Sequence, residues 1–258
     1  ELEQWQLRPL QTMYSIIWFD AIHYKVREHN AVKAKAVYNV LAVNMEGERE
    51  LLGIYVSESE SARFWLSVMG DLQLRGIADI LIVCTDNLKG FSDAISTVYP
   101  KTMIQSCIVH QVRNTLKYAS YKDYGPLTCD MKAIYGSSNL ENGEVKLEEF
   151  IQKWEAKYPT ATRSWQDNWY KLSTFFEFGK DIRKLMYTTN PIENIHRQMR
   201  KITKSKGSFT SDMALKKLIY LVIREINRSQ KGRVLNWGLI LGQLSIKFED
   251  RIKASLRG

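Results

Sequence analysis

The chain has 258 residues, 45% of them apolar, which allows one or two domains with a sizeable core, and it holds no run near the roughly eighteen apolar residues of a membrane span. Its three cysteines form no Cys-x-x-Cys pair, which argues against a disulfide framework or an all-cysteine zinc site and fits a reducing cytoplasm. The net charge of +9 is concentrated, with 18 Lys/Arg against 6 Asp/Glu in residues 180–258 and 19 against 22 in residues 1–179, so either a solubilising bias or a polyanionic partner such as nucleic acid sits at the C-terminal third, and no membrane is implied.

The opening stretch, ELEQWQLRP, lacks an initiator Met and any signal peptide and reads as the start of a fragment whose upstream part is missing. Residues 13–19 (MYSIIWF) are β-branched and aromatic and predict a strand ending at Asp20. Residues 36–44 and 48–56 predict two more strands, joined by the turn Met45-Glu46-Gly47 as an antiparallel hairpin. Residues 57–74 switch to helical spacing, with Ser57 and Glu60 as a capping box, Phe64, Trp65, Val68, Met69 and Leu72 as the apolar face, and Gly76 as the stop. The apolar run 80–84 (ILIVC) suits a central strand covered on both faces and ends at Thr85-Asp86. A short helix over 90–98, a fifth strand over 103–107 and a helix from Ile108 follow.

Three strands, then helix, strand, helix, strand, helix is an α/β order that matches the RNase H-like fold, a mixed five-stranded sheet with flanking helices. Residues 121–180 are rich in Trp, Tyr and charge and poor in strand signals, which predicts a mostly α-helical insertion domain. The expected division is 1–118 for the first part of the core, 119–182 for the insertion and 183–258 for the core's C-terminal helices. Two of those helices are strong: 191–203, and 212–228 with Leu215, Leu218, Ile219, Val222, Ile223 and Ile226 on one face. Trp154, Trp165 and Trp169 in the insertion stand at helical spacing, which favours core packing over base stacking.

Asp20 stands at the end of the first predicted strand and Asp86 just past the end of the fourth. If those strands are neighbours, both carboxylates emerge at one edge. Side-by-side carboxylates repel, and a hard cation, Mg²⁺ or Mn²⁺, relieves that repulsion. Two such ions about 4 Å apart activate the attacking oxygen and stabilise the leaving one in phosphodiester chemistry. Either Asp alone is also ordinary turn chemistry. Glu193 follows Asn190 and Pro191 at the third position of a helix, where it would equally serve as a capping-box acid. The same helix carries Arg197, Arg200 and Lys201, followed by Lys204 and Lys206, while Ile192, Ile195, Met199 and Ile202 form the inward face. An acid at the head of a basic stripe suits a metal-bound phosphate flanked by further phosphates.

Four segments together resemble the Mutator-like transposases, in particular their bacterial insertion-sequence branch. They are Trp18-Phe19-Asp20-Ala21-Ile22 with Lys25 and Arg27; Thr85-Asp86-Asn87-Leu88-Lys89-Gly90-Phe91; Gln105-Ser106-Cys107-Ile108-Val109-His110 with Arg113-Asn114; and Tyr187-Thr188-Thr189-Asn190-Pro191-Ile192-Glu193 running on to Arg200-Lys201 and Lys206-Gly207. The resemblance covers nearly the whole chain. It implies that Asp20, Asp86 and Glu193 are catalytic and hold metal ions of the kind above, two Mg²⁺ or Mn²⁺. It also implies metal-dependent cleavage of DNA ends and strand transfer in transposition, with double-stranded DNA as partner (terminal inverted repeats and target) and a homodimer assembled on it. Such a protein would work in the bacterial cytoplasm at the nucleoid, and an N-terminal DNA-binding region would precede this chain.

The chain departs from the pattern at Asn87, Asn194 and His196, where the family commonly has Gly, Ser and Asn; these changes bear on substrate contacts rather than on the metal ligands. The family's Cys-x-x-His motif matches Cys107 and His110. Two ligands are too few for a closed zinc site, so His110 is expected to approach the acidic cluster or a phosphate with Cys107 packed beneath, or both are structural. Lys25, Arg27, His110, Arg197, Arg200, Lys201, Lys204 and Lys206 are the candidate DNA contacts. The competing readings are a domesticated transposase kept as a non-catalytic DNA-binding protein and another RNase H-like nuclease.

Overall fold

A computed structural model describes residues 1–28, 31–59, 61–86, 90–187, 190–204, 206–229 and 232–255, with the backbone alone at 187, 190, 191 and 227–229. The chain divides into two compact units, Glu1–Met103 with Asn190–Gly258 and Ile104–Thr189.

After a short α1 (Leu2–Gln6), the chain enters β1 (Met13–Glu28), β2 (Ala31–Asn44) and β3 (Arg49–Ser57). The β2–β3 hairpin turns where expected. Asn44 Oδ1 accepts from the backbone N–H groups of Glu46 and Glu48, and Gly47 takes φ +84°, which a side chain rarely adopts. α2 (Ala62–Leu74), β4 (Asp79–Thr85), α3 (Phe91–Val98) and β5 (Met103–Ser106) complete a mixed five-stranded sheet of order β3-β2-β1-β4-β5. β1 runs antiparallel to β2 and parallel to β4.

Two expectations need correction. β1 does not end at Asp20. It continues to Glu28 against residues 31–36 of β2, because His23, Lys25 and Arg27 alternate as exposed residues with the inward Ile22, Tyr24 and Val26. α2 does not start at Ser57, which is still paired in β3. Its cap is Ser61, whose side chain accepts from the Phe64 N–H at 3.1 Å. Glu60, the expected capping-box partner, lies outside the described residues.

One face of the sheet is closed by aromatic packing. Phe19 and Tyr38 meet Trp65 of α2 and Phe91 of α3, with Tyr38–Trp65 centroids 4.6 Å and Trp65–Phe91 centroids 4.8 Å apart in edge-on geometry.

The second unit is helical. It comprises α4 (Ile108–Lys117), α5 (Tyr124–Tyr135), α6 (Leu140–Trp154), α7 (Pro159–Leu172) and α8 (Lys180–Tyr187), with two short 3₁₀ turns. Its tryptophans are packed. Trp165 is fully buried with Nε1 donating to Thr115 Oγ1 at 2.8 Å, Trp154 Nε1 donates to Asp130 at 2.8 Å, and Trp169 rests against Phe176.

In the first unit the chain closes with α9 (Asn190–Thr203), α10 (Asp212–Ser229), α11 (Trp237–Lys247) and α12 (Glu249–Ser255). α10 buries Leu215, Ile219, Val222, Ile223 and Ile226, as its spacing predicts. Its first turn is tied to β2 by the buried Lys35, whose ammonium lies 2.9 Å from Asp212 and 3.3 Å from Glu28 and Glu58. At the other end of the strands, Arg251 of α12 grips Asp79 through two hydrogen bonds of 2.9 and 2.6 Å. No helix among the described residues is long and apolar enough to cross a membrane.

Candidate active site

β1 outruns its parallel neighbour. The register with β4 ends at Phe19↔Thr85, so Asp20 and Asp86 are the residues just beyond the last rung on each strand. Farther along, β1 meets another backbone on that side at Val26, which is bridged to Phe209 in the α9–α10 connection. There the Arg27 N–H donates to Phe209 C=O at 2.7 Å and the Phe209 N–H to Lys25 C=O at 2.8 Å. Residues 20–24 of β1 lie beyond the β4 ladder and before the Phe209 bridge, a gap on this edge called the notch below, and Asp20 stands at its start.

Strand alternation decides what faces the notch. Asp20, Ile22, Tyr24 and Val26 share one face, opposite to Phe19, and the antiparallel register sets Asn39 beside Asp20. α9 covers this face. It buries Ile192, Ile195, His196, Met199 and Thr203, whereas Ile202, expected inside, is 48% exposed; Thr203 takes the inward position instead, its hydroxyl donating to Met199 C=O. His196 Nδ1 lies 3.4 Å from Asp20 Oδ2, and its Nε2 lies 3.0 Å from Asn39 Nδ2. The other Asp20 oxygen, Oδ1, accepts from the Ala21 N–H at 2.8 Å. Asp20, His196 and Asn39 are all buried.

Glu193 is half-buried one helical turn before His196, about 4.5 Å back along the α9 axis. Thr188 and Thr189 lie outside the described residues, as do the side chains of Asn190 and Pro191, so the expected cap of this helix does too. Arg197, Arg200, Lys201, Lys204 and Lys206 are exposed, as the basic stripe predicts. Arg200 reaches the notch electrostatically: burial holds the Tyr24 phenol pKa above its usual value, while the Thr203 hydroxyl and the Arg200 charge oppose that rise. Lys25 and Arg27 are exposed as well, but strand alternation projects them from the face opposite to Asp20.

Cys107 and His110 belong to the second unit. Cys107 is the buried residue preceding α4, and His110 is half-buried in its first turn. Asn87, Leu88 and Lys89, which follow Asp86 in the motif, lie outside the described residues.

The donors around the notch fit a hard divalent cation. They are carboxylates on adjacent strands just beyond the last rung of the β1–β4 ladder, and beside them Asn39 Oδ1 is a buried oxygen with no hydrogen-bond partner among the described residues. Sequence reasoning noted His196 only as a departure and missed Asn39. The signal for Asn39 was there: it is a single amide inside the apolar run AVYNVLAV.

Comparison with known proteins gives a consistent result. The family model described as "Transposase, Mutator family" matches residues 1–231. The probable transposase for insertion sequence element ISRM3-like of Sinorhizobium fredii (strain NBRC 101917 / NGR234) is 41% identical over 249 residues, 96% of this chain and 62% of that protein. The transposase for insertion sequence element ISRM3 of Rhizobium meliloti (strain 1021) matches with the same identity and coverage. A probable insertion-sequence transposase of Corynebacterium diphtheriae is 32% identical over 271 residues, covering 97% of this chain and 79% of that protein. The chain therefore spans 62% of the length of the two rhizobial relatives. Among solved structures, a simian T-cell lymphotropic virus intasome in complex with PP2A regulatory subunit B56 gamma aligns at a TM-score of 0.29 and 13% identity over 63% of this chain and 51% of that one, too weak a likeness to carry an argument.

Proposed function

Because the chain belongs to the Mutator family of transposases, we propose that Asp20, Asp86 and Glu193 form the acidic site through which it cuts DNA at a transposon end and joins the freed strand to target DNA. The observation that carries this reading is the shared end of one parallel ladder, which leaves Asp20 and Asp86 as neighbouring acids under the helix that bears Glu193. On this reading the strand order β3-β2-β1-β4-β5, with helices on both faces, is an RNase H-like core, and residues 119–182, within the helical unit, are its insertion domain.

Two Mg²⁺ or Mn²⁺ ions, held by these acids, would supply Lewis acidity at the phosphodiester and would lower the pKa of the attacking water in cleavage and of the freed 3′-hydroxyl in strand transfer. The chain's own part is to hold and orient. Asp20 offers carboxylate oxygens from within β1 and Asp86 from just past the end of β4, and Glu193 offers a third from α9. Arg197, Arg200, Lys201, Lys204 and Lys206 line the exposed side of α9 and its extension, where they neutralise phosphates on either side of the reacting one. Lys25, Arg27 and His110 are assigned to flanking DNA. Terminal inverted repeats and target duplex are the substrates, and two copies of the chain act together to hold two ends.

The test is a duplex carrying the element's terminal repeat, incubated with Mg²⁺ or Mn²⁺. Nicking by the wild type and its loss in Asp20→Asn, Asp86→Asn and Glu193→Gln, with DNA binding retained, is the expected result. Wild-type-like nicking by any of the three removes that residue from the site. Tight binding by the wild type without nicking would favour a non-catalytic DNA-binding protein, and preferential cleavage of an RNA–DNA hybrid would favour a ribonuclease.

A further inference from the structure

We propose that His196 is a positioning residue for Asp20, and that Asn39 holds the imidazole in the place from which it does so. The inference rests on the reading of Asp20 as a metal ligand. Its physical basis is a row of three buried polar side chains, Asp20 at 6% exposure, His196 at 2% and Asn39 at 0%, joined across two strands and a helix.

The imidazole is held from both sides. Its Nε2 lies 3.0 Å from Asn39 Nδ2, and its Nδ1 faces Asp20 Oδ2 at 3.4 Å, an electrostatic approach rather than a tight hydrogen bond.

With the Ala21 N–H on Oδ1 at 2.8 Å and His196 Nδ1 near Oδ2, each oxygen of Asp20 faces a nitrogen. Rotation of the carboxylate about its Cβ–Cγ bond is restricted, so the directions in which its oxygens can offer lone pairs are set before any cation arrives. Partners that orient a ligating carboxylate are commonly worth about 10–100-fold in metal affinity.

Two substitutions separate orientation from packing. In His196→Asn the amide nitrogen falls close to the Nδ1 position and preserves a donor to Asp20. His196→Leu fills the space without a donor. Calorimetric titration of Mn²⁺ into the full chain should give an affinity about 10–100-fold weaker for His196→Leu and within about threefold of wild type for His196→Asn, with both variants folded by circular dichroism. Equal losses in the two variants, or no loss in either, overturns the proposal. If the wild type takes up no Mn²⁺, the acidic-site reading fails and this inference, which rests on it, falls with it; uptake by the wild type with equal affinities in the two variants overturns the inference alone.

Discussion

Phe19 and Asp20 are consecutive in β1 and face opposite ways. On the Phe19 side the sheet is finished: Tyr38, Trp65 and Phe91 close edge-on around it, every one of them buried. On the Asp20 side the strand loses its β4 neighbour and buries a carboxylate, an imidazole and an amide instead. The first face stabilises the fold through apolar burial and aromatic contacts. The second costs stability, because desolvating polar groups is unfavourable even when they partly satisfy one another. Local costs of this kind are expected at functional sites, which agrees with the role proposed for Asp20.

The contrast is breakable. The largest expected effect is on the Asp20 side. Asp20→Asn should lower DNA nicking by about a thousandfold or more, since cation-assisted phosphoryl chemistry is worth several kcal/mol. Thermal unfolding should move by no more than about 2–4 °C. A collapse of thermal stability would make Asp20 a structural residue and erase the difference between the faces. On the other side, Trp65→Ala should cost about 3–5 kcal/mol in denaturant unfolding, through the smaller buried area and a residual cavity. A cost below about 1 kcal/mol would show that this face is not the one holding the sheet together.

A smaller effect tests the hairpin that sets the two faces in register. Gly47 sits at φ +84° with the Trp237 indole against it, so the methyl of Gly47→Ala has neither a favourable backbone region nor space. The cost should be about 1–3 kcal/mol, measured by chemical denaturation. Mn²⁺ affinity of the folded variant should be unchanged, because Asn39 lies five residues upstream of Asn44, where the hairpin begins. A weakened affinity would mean that the β2 register at Asn39 depends on this turn.

How much of the molecule is legible in the sequence differs between the same two regions. The apolar strands and the α2 face are readable because one residue type repeats at one period: ILIVC for β4, and Trp65, Val68, Met69 and Leu72 for α2. The far half of β1 is not. DAIHYKVRE alternates correctly, but its charged members disguise it, and its partners, residues 31–36 and Phe209, come from elsewhere in the chain. The start of α2 is ambiguous because Ser57 and Ser61 both suit a cap, and only the pairing of β3 through Ser57 decides between them. Asp86 can be picked out by its place just past the end of β4, whereas Asp20, expected at a strand end, lies inside β1 and is marked only by the loss of the β4 rung beside it. The contact between Asn39 and His196 spans 157 positions and leaves no local pattern. Ile202 illustrates the limit of periodicity: helical spacing alone does not say whether the edge of an apolar stripe ends at Ile202 or at Thr203, and here it is Thr203 that is buried.

The smallest effect sharpens the contrast most, because it asks on which face the DNA lies. The exposed Arg200 shares the α9 side with Asp20 and influences Tyr24 at the notch, whereas Lys25 leaves β1 from the Phe19 side. Removing one cation from a phosphate lowers the slope of log binding constant against log salt by about 0.9. Arg200→Ala should therefore reduce the slope by about that amount with little change in sequence preference, while Lys25→Ala should leave it unchanged if the duplex runs along α9. A reduced slope for Lys25→Ala alone would move the duplex to the other face and separate the basic stripe from the acids. Equal reductions would require DNA to wrap the edge of β1 at the notch, which would still bring a phosphate to Asp20. The three outcomes differ only in which cation is withdrawn from its phosphate, so a salt titration of these two variants is enough to decide among them.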